Sequence, residues 1–214
     1  MNVFSYFVPQ VIFRSSSSFN KNIEVIESFG TRQLRVNGVV QTGTYTHLLF
    51  KNGLKKLIPW HIGPMEKILV FGIGGGDVFK QLLHTFPGAQ VTGIDIDPEI
   101  VRISKKFFSL GNDKVQFAVS DAKKFPDIYL RRDGLFDLVV VDIYIGNDVP
   151  DFVTSVQFLT SVKRLLSRHG SVMFNYFSST DQAQKSDKLR LKIRKIYPDV
   201  VMESNQRNIF YYFR

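Results

Sequence analysis

Four positions in the chain have residue types and spacing suited to chemistry on a nucleoside. The first is the turn Gly72-Ile73-Gly74-Gly75-Gly76, which follows the apolar run Ile68-Leu69-Val70-Phe71 and opens a helical pattern from about Val78 to Thr85. Glycine suits such a turn because a Cβ would block the approach of backbone to ligand, and the helix start behind it offers N–H groups without partners. Gly72, Gly74 and Gly76 are therefore candidate contacts for a phosphate or a nucleoside. The second is Asp95, about 20 residues on, at the end of the next strand pattern, where a carboxylate can accept from both ribose hydroxyls. The third is Asp121, in Val119-Ser120-Asp121-Ala122. It can accept from an adenine amino group, or cap the segment that begins at Ala122, or do both. The fourth is Asp142, directly after Val139-Val140-Val141. Ligands of open α/β sheets sit beyond the carboxyl ends of the strands, so an acid there can act as a base towards an amine or orient a substrate; it can also merely cap a loop. Tyr144, Asp148 and Asp151 follow in the adjoining loop, at the expected entrance.

The elements that must position these residues are legible from Lys67 onward. The continuous apolar run 68–71 reads as a strand buried on both faces, and 90–95, 115–119, 138–141 and 171–175 read as further strands. Helical segments alternate with them. Asp97-Pro98-Glu99 starts one, with Asp97 as cap and Pro98 in the first turn. A helix is expected from about Thr154 to Ser167, ended by His169-Gly170, and a basic helix near 182–196 precedes a strand pair near 199–203 and 208–213. Strand–helix alternation predicts a Rossmann-like, doubly wound and mostly parallel α/β sheet. Before it, 23–29 and 32–36 alternate as half-buried strands do, Asn37-Gly38 marks a type I′ hairpin and 39–41 return, while 45–58 reads as a helix. Residues 1–20, with Ser15 to Ser18 in a row, read as an irregular arm. The expected division is 1–60, an N-terminal arm and β-hairpin unit, and 61–214, a nucleoside-binding catalytic domain.

Composition narrows the classes. The chain has 214 residues, is 44% hydrophobic with 20 Phe, and contains no Cys, so disulfides, thiol catalysis and Cys-ligated zinc are excluded. His47, His61, His84 and His169 show no ligand spacing, so no metal is expected. No apolar run reaches the ~18 residues of a membrane span and the N-terminus lacks a signal-peptide pattern, so the expectation is a soluble, cytoplasmic protein with no membrane partner. The net charge is +9, concentrated at Lys185, Lys188, Arg190, Lys192, Arg194 and Lys195. A solvated helix face accounts for that cluster, and nucleic-acid contact is the weaker reading.

Taken together these residues resemble the spermidine synthase-like polyamine aminopropyltransferases, which share the class I methyltransferase fold. The resemblance runs from about Asn22 to Asn208 and is carried by the hairpin Gln33 to Gln41, by Val70-Phe71-Gly72-Ile73-Gly74-Gly75-Gly76, by Ile94-Asp95-Ile96-Asp97-Pro98-Glu99, by Ser120-Asp121-Ala122 and by Asp142. It implies S-adenosylmethionine or its decarboxylated form as donor. Gln41 would touch the nucleoside, Asp95 hold the ribose, Asp121 the adenine, and Asp142 would accept a proton from an attacking small amine, with Tyr144 beside it. Two departures stand out. The family's second acid, three residues after the one at Asp142, is Ile145 here; the acid of its Gly-rich turn, which binds the donor's amino group, is Gly75, with Asp77 two residues on as the candidate substitute. The resemblance also implies a homodimer, for which Phe4, Phe7, Phe13 and Phe19 are candidate interface residues, their own core being the other place for them. The competing readings are a methyltransferase acting on another substrate and a non-catalytic nucleoside-binding module.

Overall fold

The computed structural model describes residues 8–110, 113–129, 135–146, 148–177, 183–205 and 207–214. A small antiparallel sheet comes first, in the order β1 (Gln10–Ser15), β2 (Ile23–Ser28), β3 (Thr31–Val36) and β4 (Val39–Val40). Asn37 and Gly38 join β3 to β4 with φ of 48° and 84°, the two positive values that a type I′ turn requires. Helix α1 (Thr44–Leu57) leads into the large sheet. There follow β5 (Lys67–Phe71), α2 (Asp77–Thr85), β6 (Gln90–Asp95), α3 (Pro98–Phe108), β7 (Val115–Val119), α4 (Phe125–Tyr129), β8 (Phe136–Val141), α5 (Val156–Lys163), β9 (Leu166–Phe177), α6 (Ala183–Ile196), β10 (Val200–Asn205) and β11 (Asn208–Phe213).

The seven strands lie in the order β10-β11-β9-β8-β5-β6-β7. β9, β8, β5, β6 and β7 run parallel, and β11 and β10 are antiparallel additions at one edge. Period-two alternation splits the core into two layers. Ile68, Val70, Leu138, Val140 and Met173 face one side, with α1, α2, α3 and the small sheet, so that Ile23, Val25 and Leu34 belong to the same apolar cluster. Leu69, Phe71, Val139, Val141, Val172 and Phe174 face the other, under Phe125, Phe158, Leu159, Val162, Leu189 and Ile193 of α4, α5 and α6. The doubly wound α/β architecture expected from the alternation is the one present. No helix among the described residues is long and apolar enough to cross a membrane.

Three expectations need correction. Residues 10–15 are not an irregular arm: they pair with β2 through a bulge between Val11 and Phe13, and Phe13 packs on Phe107 with ring centroids 5.1 Å apart. The helix expected over 154–167 is shorter. A 3-10 turn at Asp151–Thr154 precedes α5, Ser155 caps α5 by accepting from Phe158 N, and the chain already enters β9 at Leu166. Gly170 therefore lies in the irregular start of a strand, where a Cβ would come within 2.7 Å of the Phe136 carbonyl oxygen, rather than at a helix end. The short α4 was indicated only by the capping reading of Asp121, without bounds; a five-residue helix is too brief for a periodic signal. Of the candidate interface residues, Phe4 and Phe7 lie outside the described residues, and Phe19 is half exposed.

Gly93 in β6 leaves space for the ring of Phe79, which is fully buried and meets Phe117 edge-on at 5.4 Å. Phe79→Ala should therefore cost about 3–5 kcal/mol, as other large-to-small core changes do. Urea unfolding measures this directly; a loss under about 1 kcal/mol would show that α2 is not locked onto the sheet by that ring.

Candidate active site

The chain crosses from one side of the sheet to the other between β5 and β8, and a crevice opens there beyond the strand ends. Four neighbouring ends present, in spatial order, Asp142 after β8, Gly72 after β5, Asp95 at the end of β6 and Asp121 just past β7. Strands lie about 4.8 Å apart, so Asp142 and Asp95 belong to ends about 10 Å apart, with the glycine turn between them. All four line one cavity of about 450 Å³, within the range of small-ligand sites.

The glycine turn is shaped by close approach. Gly72 has φ 92°, and a Cβ on it would collide with the carbonyl oxygen of Asp142. Gly76 has φ 84°, caps α2 in the left-handed region, and leaves room for the Leu110 side chain. Gly74 has φ 51°, its carbonyl accepts from the Ser104 hydroxyl at 2.5 Å, a Cβ on it would meet only the edge of Gln41, and it lines the cavity. Gly75 has no space for any side chain: a Cβ would collide with the methyl of Thr42, whose hydroxyl accepts from Leu34 N at 2.9 Å. An acid at that position would have to displace Thr42, in the segment between β4 and α1.

The carboxylates divide by what they hold. Asp95 accepts from Ile73 N at 3.1 Å and from Asp97 N at 3.0 Å, tying the turn to the end of β6. Burial nonetheless holds its pKa above the ordinary carboxylate range. Asp97 caps α3 by accepting from Glu99 N at 2.9 Å, as expected. Its other oxygen accepts from Ser17 Oγ at 2.6 Å and Asn20 Nδ2 at 2.7 Å, which holds the N-terminal segment on the cavity wall with Phe19 and Asn20 facing in. Asp121 lines the cavity and accepts from Lys123 N at 2.9 Å, so the capping role is present. Asp77 also reaches the cavity, but its Oδ2 accepts from Gly43 N at 2.9 Å and from the Thr46 hydroxyl; that oxygen fastens the start of α1.

Asp142 differs from these. Asn175 Nδ2 donates to its Oδ1 at 2.9 Å, and burial outweighs that bond, pushing its pKa up to about 6. A carboxylate with that pKa is ionised at neutral pH and is a stronger base than an ordinary carboxylate. Tyr144 lines the cavity beside it, but its hydroxyl donates to the Asn175 carbonyl at 2.9 Å and its pKa is held well above the ordinary value, first by burial and then by the Asp142 charge. Ile145 is exposed on a turn closed by reciprocal backbone bonds with Asp148. Asp148 and Asp151 do not line the cavity.

The structure thus brings together Gln41, Gly72, Gly74, Gly76, Asp77, Asp95, Asp121, Asp142 and Tyr144 around one space. It adds Phe19, Asn20, Phe50 and Phe152, which sequence reasoning missed. Asn175 was also missed as a site residue, although a polar residue ending the run Val172-Met173-Phe174 repeats the pattern that marked Asp95 and Asp142. Among the described residues no group of His, Cys, Asp and Glu is arranged to hold a metal ion.

The raised pKa of Asp142 has a consequence for stability. The folded protein favours the protonated form, so that contribution is full below about pH 4 and is lost as pH rises through about 6. Asp142→Asn, neutral throughout, should melt with the parent near pH 4 and progressively above it towards pH 7. Parallel melting curves across that window would show that burial does not oppose the Asp142 charge.

A family model described as "Methyltransferase domain" matches residues 64–213. A polyamine aminopropyltransferase of Vibrio vulnificus is 29% identical over 120 residues, covering 54% of this chain and 39% of that protein. Polyamine aminopropyltransferase 1 of Aquifex aeolicus is 26% identical over 203 residues, covering 91% and 70%. The chain thus spans well under half the length of the first relative. A solved spermidine synthase, in complex with the transition-state analogue AdoDATO, superposes with a TM-score of 0.76 at 14% identity, covering 95% of this chain and 73% of that one. The chain belongs to the methyltransferase-domain family and is a spermidine synthase-like, polyamine aminopropyltransferase-like member of it.

Proposed function

We propose that this protein is a transferase that binds decarboxylated S-adenosylmethionine or S-adenosylmethionine and passes an aminopropyl group to a small amine. The observation that carries the reading is a single cavity with Asp95 at one strand end, Asp142 with its pKa raised to about 6 two strands away, and bare glycine backbone between them. Asp95 would accept from the ribose hydroxyls and Asp121 from the adenine amino group, with Gln41 against the nucleoside and Gly72, Gly74 and Gly76 giving backbone access. Asp77 is the remaining candidate for the donor's amino group, through the oxygen not bonded to Gly43 and Thr46.

The chemistry asks little of the protein. A sulfonium makes the attached carbon electrophilic. The amine lone pair forms the new C–N bond while the C–S bond breaks and its electrons return to sulfur, leaving a neutral thioether nucleoside. The nitrogen then sheds a proton, which Asp142 would take. Positioning and one proton transfer are the protein's share. Relatives named as aminopropyltransferases, and a superposable fold solved with a transition-state analogue, support this reading. Methyl transfer from S-adenosylmethionine to a different nucleophile is the second reading, favoured by the matching methyltransferase family and by Ile145 standing where the aminopropyltransferases carry a second acid.

Melting-temperature shifts with S-adenosylmethionine, its decarboxylated form and methylthioadenosine test the donor. A ligand at 100 times its Kd adds about 2.7 kcal/mol, which is readily seen. The decarboxylated donor should give the largest shift, Asp95→Ala should abolish it, and a preference for intact S-adenosylmethionine would favour methyl transfer. Asp142→Asn should leave donor binding in place and lower turnover by roughly 10²–10⁴. Unchanged turnover would remove Asp142 as proton acceptor.

A further inference from the structure

Behind Asp142 runs a line of side-chain hydrogen bonds that the donor seat does not use. Tyr45 Oη donates to Asn208 Oδ1 at 2.6 Å, Asn208 Nδ2 donates to Asn175 Oδ1 at 2.8 Å, and Asn175 Nδ2 donates to Asp142 Oδ1 at 2.9 Å. The three partners come from α1, β11 and β9. Asn175 stands opposite Phe210 in the β9–β11 ladder, and Asn208 lies two residues from Phe210, so both amides project from the same face of the sheet. Both are 4% exposed, out of reach of water that could replace a lost partner.

The direction of the line follows from the chemistry of its ends. An ionised carboxylate only accepts, so Asn175 must turn its NH2 group towards Asp142. Its oxygen then faces Asn208, which must in turn present NH2, and the Asn208 oxygen faces Tyr45, which must donate. Each amide has one donor end and one acceptor end, so a single charge on Asp142 sets both. A protonated Asp142 that offered its hydrogen to Asn175 would reverse the first amide and break the rest. Buried polar groups arranged in this way polarise one another, and a half-satisfied line is worse than none.

We propose that Asn175 and Asn208, anchored by Tyr45, are positioning residues that keep Asp142 ionised and fix its Oδ1 edge, leaving its other oxygen for the acceptor. This rests on the reading of Asp142 as proton acceptor. The surroundings leave few other agents for the task. Tyr144 on the same loop and Tyr176 on β9 are neutral hydroxyls whose pKa values are raised, the Tyr144 hydroxyl also hydrogen-bonds the Asn208 side chain and so braces the line from the side, Asp148 lies beyond Tyr176, and Arg207 lies at the far end beside Tyr45. Burial raises the Asp142 pKa and the Asn175 bond is the opposing influence.

Carbon-13 NMR of the full-length protein labelled at aspartate carboxyls, with the Asp142 signal assigned by its loss in Asp142→Asn, reads the effect without any substrate. The parent midpoint should lie near 6. Asn175→Leu, which removes the direct donor, should raise it by about one unit or more, Asn208→Leu by less, and Tyr45→Phe by least. Asn208→Gln, which keeps both ends of the amide, should stay closer to the parent than Asn208→Leu. Methylthioadenosine affinity should remain within about twofold in each, because the donor seat is untouched. Tyr45→Phe keeps the ring and its packing, so it reports even if a leucine variant fails to fold. Midpoints that stay within about 0.2 unit of the parent overturn the proposal, whatever Asp142→Asn does to turnover. Midpoints that shift while Asp142→Asn remains fully active overturn the proton-acceptor reading, and the positioning role falls with it.

Discussion

The site depends on one close contact: the backbone of Gly72 against the carbonyl of Asp142. β5 and β8 are adjacent parallel strands, so the residues that leave their carboxyl ends must pass within a few ångströms of each other. Gly72 N donates to Ile94 O and Asp142 N donates to Phe71 O, which continues the ladder one residue past each apolar run. A Cβ on Gly72 would force the two apart. Its absence lets the glycine turn and the acid share a wall of one cavity, and Ile73 N then reaches back to the Asp95 carboxylate. Three neighbouring strand ends are thereby tied into one surface before any ligand arrives.

That surface is asymmetric in a way that suits group transfer. At the β6 and β7 ends, Asp95, Asp97 and Asp121 each accept from backbone N–H groups, and Asp97 also holds the N-terminal segment through Ser17 and Asn20. These carboxylates build structure as they face the cavity. At the β8 end, Asp142 receives a side-chain bond from Asn175, and burial raises its pKa against that bond. Under the proposed function the first group would seat an adenosyl donor and the second would meet the acceptor. The two departures from the family pattern then have different physical standing. A side chain at position 75 would meet the Thr42 methyl, whereas Ile145 lies exposed on a turn at the cavity wall.

What the sequence made legible was local. The strand–glycine–helix unit, the Asp97–Pro98 cap and the Asn37-Gly38 turn each need only a few consecutive residues, and each stands where expected. Asp95 and Asp142 were marked because an acid ends an apolar run. What escaped depended on partners far along the chain. β1 is an edge strand defined by pairing with β2, and its mixed burial gives little periodicity. The end of α5 is set by the register of β9 on β8 rather than by His169-Gly170. Tyr45 and Asn208 are 163 residues apart, so nothing in either neighbourhood announces their hydrogen bond. The capping duty of Asp77 towards α1 is equally non-local, and it leaves one oxygen of a residue that sequence alone marked for the ligand.

The most direct measurement is a crystal structure of the protein soaked with methylthioadenosine. The account predicts ribose hydroxyls on the Asp95 carboxylate, the adenine amino group towards Asp121, and the sulfur over the glycine turn with its methyl directed at Asp142. Nucleoside density elsewhere on the protein, or a cavity closed by Phe19 and Phe152 with no ligand at saturating concentration, would contradict it.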